Sequence, residues 1–345
     1  MKVFATGPSG PIEELTRLRE AGHELILGRP VDQPGRKPYT EEELIEASRD
    51  ADVILASYQE TISRGVLELA ERLRLVVVPF IGTDNIDVTA ATELGVLVAN
   101  SPTPQNFISV AEAAIGQSLM LLKRVKHNEA KLRRGEWGQR RDRGFLLSGK
   151  TVGLVGLCRI GAHVARRLAP WEVRLLAYDP YASVEHARTL NVTLVDLATL
   201  LAESDIVSLH ALLTHETRGM IGEPELKAMK TTAFLVNTAR GELVDEAALA
   251  RAVEDGWIAG AALDTFEQEP LPLGSPLRSL DPERLILTPH IVSHSEAGRR
   301  ANLDRALKTV LMALNGEVPE HVVNPKAASH WRARLLDPKT GGNAP

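Results

Sequence analysis

Residues 151–161 have the sequence Thr-Val-Gly-Leu-Val-Gly-Leu-Cys-Arg-Ile-Gly, and this stretch decides the fold of the chain. Its apolar first half is typical of a buried β-strand, and its glycines lead into a helical pattern at Ala162–Leu168. In the dinucleotide fingerprint G-x-G-x-x-G, the first glycine makes a tight turn, the second lets the backbone approach a pyrophosphate, and the third lets helix and strand pack closely. Gly156 and Gly161 hold the first and third places, whereas Cys158 holds the second. We expect a nucleotide-binding strand and helix in which the Cys158 side chain crowds the pyrophosphate.

An acidic residue follows at the distance that this fingerprint requires. Asp179 ends the next expected strand, Arg174–Asp179, 18 residues after Gly161. A carboxylate in that place accepts hydrogen bonds from the adenosine ribose and repels a 2′-phosphate. Pro180 and Tyr181 offer no cation to bind such a phosphate. The sequence therefore predicts NAD as the cofactor, and not NADP.

Short runs of Val, Ile and Leu alternate with helical patterns on both sides of the fingerprint, which predicts parallel sheets covered by helices on both faces. The expected strands before it are Lys2–Ala5, His23–Leu27, Asp52–Ala56, Leu73–Phe80 and Gly95–Ala99. A second and larger set of strands begins at Thr151. The predicted fold class is α/β with two doubly wound parallel-sheet domains, one flavodoxin-like and one a Rossmann domain.

The composition agrees with a two-domain protein that does not bind nucleic acid. The chain has 345 residues, with 40 Lys and Arg against 45 Asp and Glu, a net charge of −5. A nucleic-acid surface normally appears as a basic excess. Cys158 is the only cysteine, which excludes an internal disulfide and fits a reducing compartment. With neither a secretory signal nor a membrane span in the sequence, we expect a soluble, cytoplasmic protein.

The segment Ser109–Arg134 is apolar at helical spacing and then strongly basic. We expect one helix of about 25 residues here, long enough to cross between domains or to pack on another subunit. A core helix with a solvated basic end is the alternative. Near the C-terminus, Glu296–Leu314 is expected to be helical, and Asp337–Pro345 is expected to be disordered.

Three expected strands of the second half end in side chains that suit hydride transfer. Arg240 follows one of them and could hold a carboxylate with two parallel hydrogen bonds. His290 follows another and has the titration range of a general acid or base. Glu269, after the strand that ends at Asp264, could orient the ring of His290. Each residue alone is more often structural, but all three at the carboxyl ends of strands beside a nucleotide fingerprint favour a catalytic site.

Two further histidines allow other interpretations. His294 lies four residues after His290, but the intervening loop lacks the adjoining Glu of a helical metal motif, so no metal is expected. His210 ends the expected strand Asp205–His210 and suits the cofactor pocket or the core better than catalysis.

Several longer motifs extend this pattern along the chain from about Val77 to Pro325. They are GTDNID (82–87), NFISVAE (106–112), GLVGLCRIG (153–161), VNTARGELVDEAAL (236–249), GAALDTFEQEPL (260–271), LILTPHI (285–291) and VVNP (322–325). With these motifs the chain resembles the D-isomer-specific 2-hydroxyacid dehydrogenase family. The resemblance implies an NAD-dependent enzyme that moves a hydride to or from C2 of a small 2-hydroxy or 2-keto carboxylate.

The resemblance also assigns roles to individual residues. Arg240 would bind the substrate carboxylate, and His290 with its partner Glu269 would act as acid or base. The expected cofactor-binding residues are Gly156, Cys158, Arg159, Ile160, Gly161, Asp179, His210, Thr238, Ala239, Asp264 and Val110. Asp264 would lie close to the nicotinamide carboxamide. The expected substrate-binding residues are Ile81, Gly82, Thr83 and Asn106, together with Arg240.

At the level of domains, the resemblance implies a substrate-binding domain of residues 1–103 and 296–336 and an NAD-binding Rossmann domain of residues 104–295. It also implies a homodimer through the helix and arm 109–145. Arg140 falls near the place where, in some relatives, a residue of the partner's arm enters the active site. A solvated basic arm is the alternative to that role.

The chain departs from the family pattern at four places, none of which removes a catalytic group. They are Cys158 for a glycine, Leu212 for a proline, Thr231-Thr232 for Pro-Gly, and a loop after His290 without the common glycine. A phosphite-type dehydrogenase and a non-catalytic NAD(H)-sensing protein remain alternatives. Formate is disfavoured because formate dehydrogenases of this type carry Gln where Glu269 stands. The particular 2-hydroxy acid and the physiological direction stay open.

Overall fold

A computed structural model describes residues 1–336, so the predicted disorder of Asp337–Pro345 lies outside the described residues. The chain divides into two compact units. The first contains Met1–Gln105 and the segment from Glu296 onwards, and the second contains Asn106–Ser295. Each unit is an α/β structure built on its own parallel sheet, which confirms the predicted fold class.

The first unit contains a five-stranded parallel sheet with the order β2-β1-β3-β4-β5. Its strands are β1 (Lys2–Ala5), β2 (Glu24–Leu27), β3 (Val53–Leu55), β4 (Leu75–Val77) and β5 (Leu97–Ala99). The helices between them are α1 (Thr16–Glu20), α2 (Glu41–Ser48), α3 (Arg64–Leu69) and α4 (Val88–Glu93). All residues of β3, β4 and β5 are buried, as expected for a sheet covered on both faces.

The second unit contains a seven-stranded parallel sheet with the order β12-β11-β10-β9-β6-β7-β8. Its strands are β6 (Thr151–Val155), β7 (Arg174–Tyr178), β8 (Thr193–Leu194), β9 (Ile206–Leu209), β10 (Phe234–Asn237), β11 (Gly260–Leu263) and β12 (Leu285–Leu287). The helices, in chain order, are α5 (Pro104–Leu122), α6 (Val125–Arg133), α7 (Arg159–Leu168), α8 (Val184–Thr189), α9 (Leu197–Glu203), α10 (Glu223–Ala228) and α11 (Glu246–Glu254). The strand order reverses between β6 and β9, and ligands of such sheets bind beyond the carboxyl ends of the strands at this point.

The C-terminal helices α12 (Glu296–Leu314) and α13 (Ala328–Leu336) complete the first unit. Along each strand, alternate residues point to opposite faces of the sheet. Val3, Leu55 and Val77 pack with Leu303 and Val310 of α12, whereas the other face packs against α2, α3 and α4. Helix α12, from the C-terminal part of the chain, therefore covers one face of the N-terminal sheet.

The single long helix expected over Ser109–Arg134 is wrong. α5 ends at Leu122, and α6 starts after Arg124, whose φ of 51° lies in the left-handed region. The carbonyl of Leu122 accepts a hydrogen bond from Phe145 N–H (2.8 Å). The Arg124 side chain donates to the carbonyl of Arg141 (2.8 Å). These contacts with a later segment of the chain end the helix, although the side-chain periodicity continues through the break.

A smaller correction concerns the fingerprint helix, which begins at Arg159 and not at Ala162. No helix within residues 1–336 is long and apolar enough to cross a membrane.

Candidate active site

The turn between β6 and α7 requires glycine at both of its outer positions. Gly156 has a φ of 98°, and a Cβ on it would lie 2.8 Å from the backbone of His210. A Cβ on Gly161 would lie 2.2 Å from the carbonyl oxygen of Gly156. The strand, the turn and the first turn of the helix therefore approach more closely than any side chain permits. This is the close approach that a dinucleotide-binding turn needs.

Cys158 fits into this turn without backbone strain. It precedes α7 with φ −77° and ψ −148°, a negative φ that does not call for glycine. The residue is exposed, and its thiol lies 3.7 Å from the carbonyl oxygen of His210. The crowding of a pyrophosphate by this side chain stays a prediction.

Asp179 lies at the end of β7, beside the glycine turn. One of its carboxylate oxygens accepts a hydrogen bond from Leu157 N–H (2.8 Å), and the other accepts one from Tyr181 N–H (2.9 Å). The two bonds fix the carboxylate between the turn and the segment after the strand. A ribose hydroxyl at this edge would find a charged acceptor already in place.

Buried polar atoms without a hydrogen-bond partner gather at the carboxyl edge of the second sheet. Among the described residues, they include His210 Nδ1 after β9, Thr238 Oγ1 after β10 and Thr265 Oγ1 after β11. Burial lowers the pKa of His210 to about 4, so its ring is neutral, and Nε2 contacts Ser208 Oγ at 3.0 Å. An unsatisfied buried polar group costs roughly 1–3 kcal/mol, which a bound ligand can offset. These atoms, together with the glycine turn and Asp179, fit a dinucleotide along this edge.

Glu269 and His290 form a direct pair on neighbouring loops. Glu269 Oε2 lies 2.8 Å from His290 Nδ1, and Oε1 accepts a hydrogen bond from Phe266 N–H (3.0 Å). Burial acts to raise the pKa of Glu269, but the hydrogen bond and charge of His290, the Phe266 N–H and the charge of Arg240 together lower it. The carboxylate therefore stays ionised and holds the ring through Nδ1. A substrate oxygen can then meet Nε2.

Arg240 lies in a turn that Asn237 shapes from the end of β10. The Asn237 amide donates to the carbonyl of Arg240 (2.8 Å) and accepts from Ala239 N–H (3.0 Å). A Cβ on Gly241 would lie only 1.9 Å from the carbonyl carbon of Phe266. The loop after β10 thus packs directly on the loop after β11, which brings Arg240 close enough for its charge to act on Glu269.

Asp264 is buried at the end of β11, where its carboxylate is tied to the loop that carries His290. The same oxygen, Oδ1, accepts hydrogen bonds from Thr288 Oγ1 (2.6 Å), Ile291 N–H (3.1 Å) and Val292 N–H (3.2 Å). The expected approach of Asp264 to the nicotinamide carboxamide stays a prediction, and its contacts with this loop were not predicted from the sequence. The spacing of Asp264 and Thr288 along the chain does not predict these hydrogen bonds, because they depend on the pairing of β11 with β12.

The remaining predicted site residues lie on several elements of the two units. Arg159 and Ile160 start α7, with the guanidinium of Arg159 5.2 Å from the Phe107 ring centroid. Val110 and Asn106 lie on α5. In the first unit, Ile81, Gly82 and Thr83 follow β4, and the Ile81 carbonyl accepts from the Asn100 amide (2.8 Å).

Two other candidates, His294 and Arg140, are not part of the Glu269–His290 hydrogen bond. The pKa of His294 is lowered by burial and by the charge of His290. Within residues 1–336 there is no group of three or more His, Cys, Asp or Glu that could hold a metal ion. Arg140 is exposed in the short turn Arg140–Asp142 of the segment after α6.

Comparison with known proteins finds similar sequences and similar crystal structures. A family model described as D-isomer specific 2-hydroxyacid dehydrogenase, NAD binding domain, matches residues 115–292. A D-3-phosphoglycerate dehydrogenase of Methanocaldococcus jannaschii is 41% identical over 83% of this chain and 54% of its own length, so the chain spans about half of that relative. A glyoxylate reductase of Korarchaeum cryptofilum is 40% identical over 94% of this chain and 96% of its own length. The crystal structure of the TT0316 protein from Thermus thermophilus superimposes with a TM-score of 0.84 at 33% identity, covering 94% of this chain and all of that one.

Proposed function

Because the chain belongs to the D-isomer specific 2-hydroxyacid dehydrogenase family and contains its NAD-binding domain, we propose that it transfers a hydride between NAD(H) and C2 of a small 2-hydroxy or 2-keto carboxylate. The observation that carries this proposal is the Glu269–His290 pair beside Arg240, at the carboxyl edge of the NAD-binding sheet. The three side chains supply a proton donor, its orienting carboxylate and a clamp for an anion.

Each side chain has one task in this proposal. NAD, when bound, supplies or accepts the hydride at its nicotinamide ring. Arg240 binds the substrate carboxylate with its planar guanidinium, which suits two oxygens at once. His290 donates a proton from Nε2 to the carbonyl oxygen during reduction of a keto acid, and takes it back during oxidation. Glu269 keeps the imidazole oriented through Nδ1 and stabilises its positive charge.

The same arrangement favours a hydroxy acid over formate. Formate oxidation leaves no hydroxyl proton for a base to take, so a carboxylate that stabilises a protonated imidazole has no task there. Reduction of a ketone requires a proton at the developing alkoxide, and the Glu269–His290 pair provides it.

The two compact units divide the work in this proposal. Residues 104–295 bind NAD, and residues 1–103 with 296–336 bind the substrate through the backbone N–H groups near Ile81, Gly82 and Thr83. We also propose that the protein acts in the cytoplasm. Its single cysteine, Cys158, cannot form an internal disulfide, which fits a reducing compartment.

The segment 109–145 is proposed to form a homodimer interface. Several large apolar side chains are exposed along α6 and the arm that follows it: Val125, Leu132, Trp137, Phe145 and Leu146. The grouping of these exposed side chains in one segment of the chain supports an interaction site there, because contiguous apolar surface on a folded protein typically marks one. Light scattering coupled to size exclusion should give the mass of a dimer, and Leu132→Glu should shift it towards the monomer. A monomeric wild-type protein would refute this part of the proposal.

The reaction is tested by following NADH oxidation with glyoxylate, hydroxypyruvate, pyruvate, 2-ketoglutarate and a phosphorylated 2-keto acid. His290→Ala should lower kcat by roughly 10²–10⁴-fold, the usual contribution of a positioned acid or base. Glu269→Gln should also lose activity, whereas Glu267→Gln, two residues away on the exposed side of the loop, should retain it. If Arg140 of a partner selects a second anionic group, Arg140→Ala should change the ratio of phosphorylated to plain substrate turnover.

The outcomes separate the alternatives. Turnover of a 2-keto acid that His290→Ala abolishes supports the proposal. NADH binding without turnover of any keto acid, but with phosphite oxidation by NAD, would move the assignment to a phosphite-type dehydrogenase. NADH binding with no turnover at all would favour an NAD(H)-sensing protein.

A further inference from the structure

The loop Thr288–Ser293 carries His290 in a backbone conformation that a histidine rarely adopts. The φ of His290 is 52°, in the left-handed region. A residue other than glycine stays in this region only where its surroundings hold it there. The contacts that the loop makes on both sides of His290 must therefore hold its backbone in this conformation.

The first of these contacts is the Asp264 carboxylate. Its Oδ1 accepts the N–H groups of Ile291 and Val292, the two residues that follow His290, and also the hydroxyl of Thr288, two residues before it. Three donors from one short loop thus converge on a single buried oxygen. This convergence imposes the turn at His290, because the two successive N–H groups point to one acceptor only when the chain bends there.

The second set of contacts comes from helix α5, on the same compact unit. The Gln117 amide donates to Thr288 Oγ1 at 3.2 Å, and the Ser109 hydroxyl donates to the carbonyl of Ser293. Gln117 is 2% exposed, and its bond to Thr288 continues into the bond from Thr288 to Asp264. The loop is therefore attached to α5 at both ends, with His290 between the two attachments.

From these contacts we infer that Gln117, Thr288 and Ser109 are positioning residues, which together with Asp264 hold His290 in its left-handed conformation against Glu269. The inference rests on the proposed role of His290. The Thr288 hydroxyl is the centre of the set, because it donates to Asp264 and accepts from Gln117 at the same time.

The chemical consequence follows from the position of the ring. Glu269 reaches Nδ1 at 2.8 Å only while the loop keeps its bend. Once the Thr288 hydroxyl is lost, Asp264 loses one of three donors and Gln117 its acceptor in this loop, so His290 can relax to a common φ. The imidazole then moves away from Glu269, and Nε2 moves away from the substrate oxygen.

The decisive variants are Thr288→Val, which keeps the shape and removes the hydroxyl, and Gln117→Leu, which removes the amide. Thr288→Ser restores the hydroxyl and should rescue activity. Ser118→Ala is the matched control on the same helix, because the hydroxyl of Ser118 bonds to the Ala114 carbonyl of its own helix. For a misplacement of about 1 Å we expect kcat for a 2-keto acid to fall roughly 10²-fold in Thr288→Val and less in Gln117→Leu. The KM for NADH should change little, and the thermal midpoint should fall by only a few degrees, because the buried Gln117 amide and Asp264 carboxylate each lose one hydrogen-bond partner.

A second readout reports on the His290–Glu269 contact without turnover. The Nδ1 proton shared with a carboxylate gives a far-downfield NMR signal, which is assigned here by its absence in His290→Ala. The signal should vanish or shift in Thr288→Val and stay in Thr288→Ser and Ser118→Ala. A folded Thr288→Val with wild-type kcat and an unshifted signal would overturn the inference. Full activity in His290→Ala would instead overturn the proposed function.

Discussion

The contact between Gly241 and Phe266 allows a quantitative prediction for Gly241→Ala. A Cβ at position 241 would lie 1.9 Å from the carbonyl carbon of Phe266, 2.2 Å from its oxygen and 2.4 Å from the nitrogen of Glu267. Non-bonded carbons rest at about 3.5–4.0 Å. The two loops would therefore have to separate by roughly 1.5 Å, since the colliding atoms are backbone and cannot rotate out of the way.

This separation should affect both stability and catalysis. Overpacking of a fixed backbone contact usually costs about 1–3 kcal/mol, and we expect the upper end of that range because no side chain can yield. Arg240 lies directly before the glycine, and Glu269 lies three residues after Phe266. A displacement of about 1 Å or more between these two groups should lower kcat/KM for a 2-keto acid by about 10²-fold.

The assay combines urea unfolding, followed by circular dichroism, with NADH oxidation. Gly274→Ala is the matched control, because a Cβ on Gly274 meets no atom within 4 Å and its φ does not favour glycine. That variant should be neutral or stabilised by about 0.4–1 kcal/mol, through the reduced entropy of the unfolded chain. If Gly241→Ala matches Gly274→Ala in stability and in kcat/KM, the close packing of the two loops is not present in solution and the reasoning fails.

Three further predictions concern the cofactor turn and the arm. NADH should protect Cys158 from alkylation by iodoacetamide, measured by mass spectrometry of the intact protein, and equal rates with and without NADH would contradict its place in the turn. Asp179→Ala should raise the KM for NADH and reduce the preference for NADH over NADPH, whereas an unchanged preference would remove Asp179 from the ribose site. The carboxylates of Glu283 and Asp142 raise the pKa of His127 above its ordinary 6.5, so the stability it contributes is fully present below about pH 6.5 and is lost as the pH rises through the raised pKa. His127→Gln should therefore lower the urea midpoint more at about pH 6 than at about pH 9, and an equal loss at both would refute the charged pairing.

The sequence was most informative about elements with local patterns. Runs such as Val53–Leu55 and Leu75–Val77 are apolar throughout, because strands of a covered parallel sheet face helices on both sides, and this composition predicts them directly. Arg240, Glu269 and His290 could be selected because each follows such a strand. The carboxyl ends of parallel strands meet at one edge, so residues far apart in sequence could be expected near one another.

What the sequence did not reveal depends on contacts between distant segments. The periodicity of Ser109–Arg134 continues through Arg124, and only the bonds to Arg141 and Phe145 end the helix at that point. Likewise, nothing in the sequence around Gln117 distinguishes it from other residues of an amphipathic helix. Its hydrogen-bond partner, Thr288, lies 171 residues away along the chain. Local secondary-structure propensity does not predict such pairs, because they arise from tertiary packing alone.

The geometry of the proposed catalytic site is set mainly by contacts between three adjacent loops. Gly241 lets the loop after β10 touch the backbone of Phe266 in the loop after β11. The N–H of Phe266 then orients Glu269, and Glu269 orients His290 in the loop after β12. Each of these steps uses a main-chain atom or a carboxylate, so side chains that make no contact with the three loops can change without moving the site, whereas Thr288 and Gln117 cannot. The departures from the family pattern agree with this view, since Leu212, Thr231 and Thr232 contribute no atom to the sequence of contacts that joins Arg240, Glu269 and His290. Substitutions at those three positions should therefore change cofactor or substrate affinity before they change the rate of the chemical step.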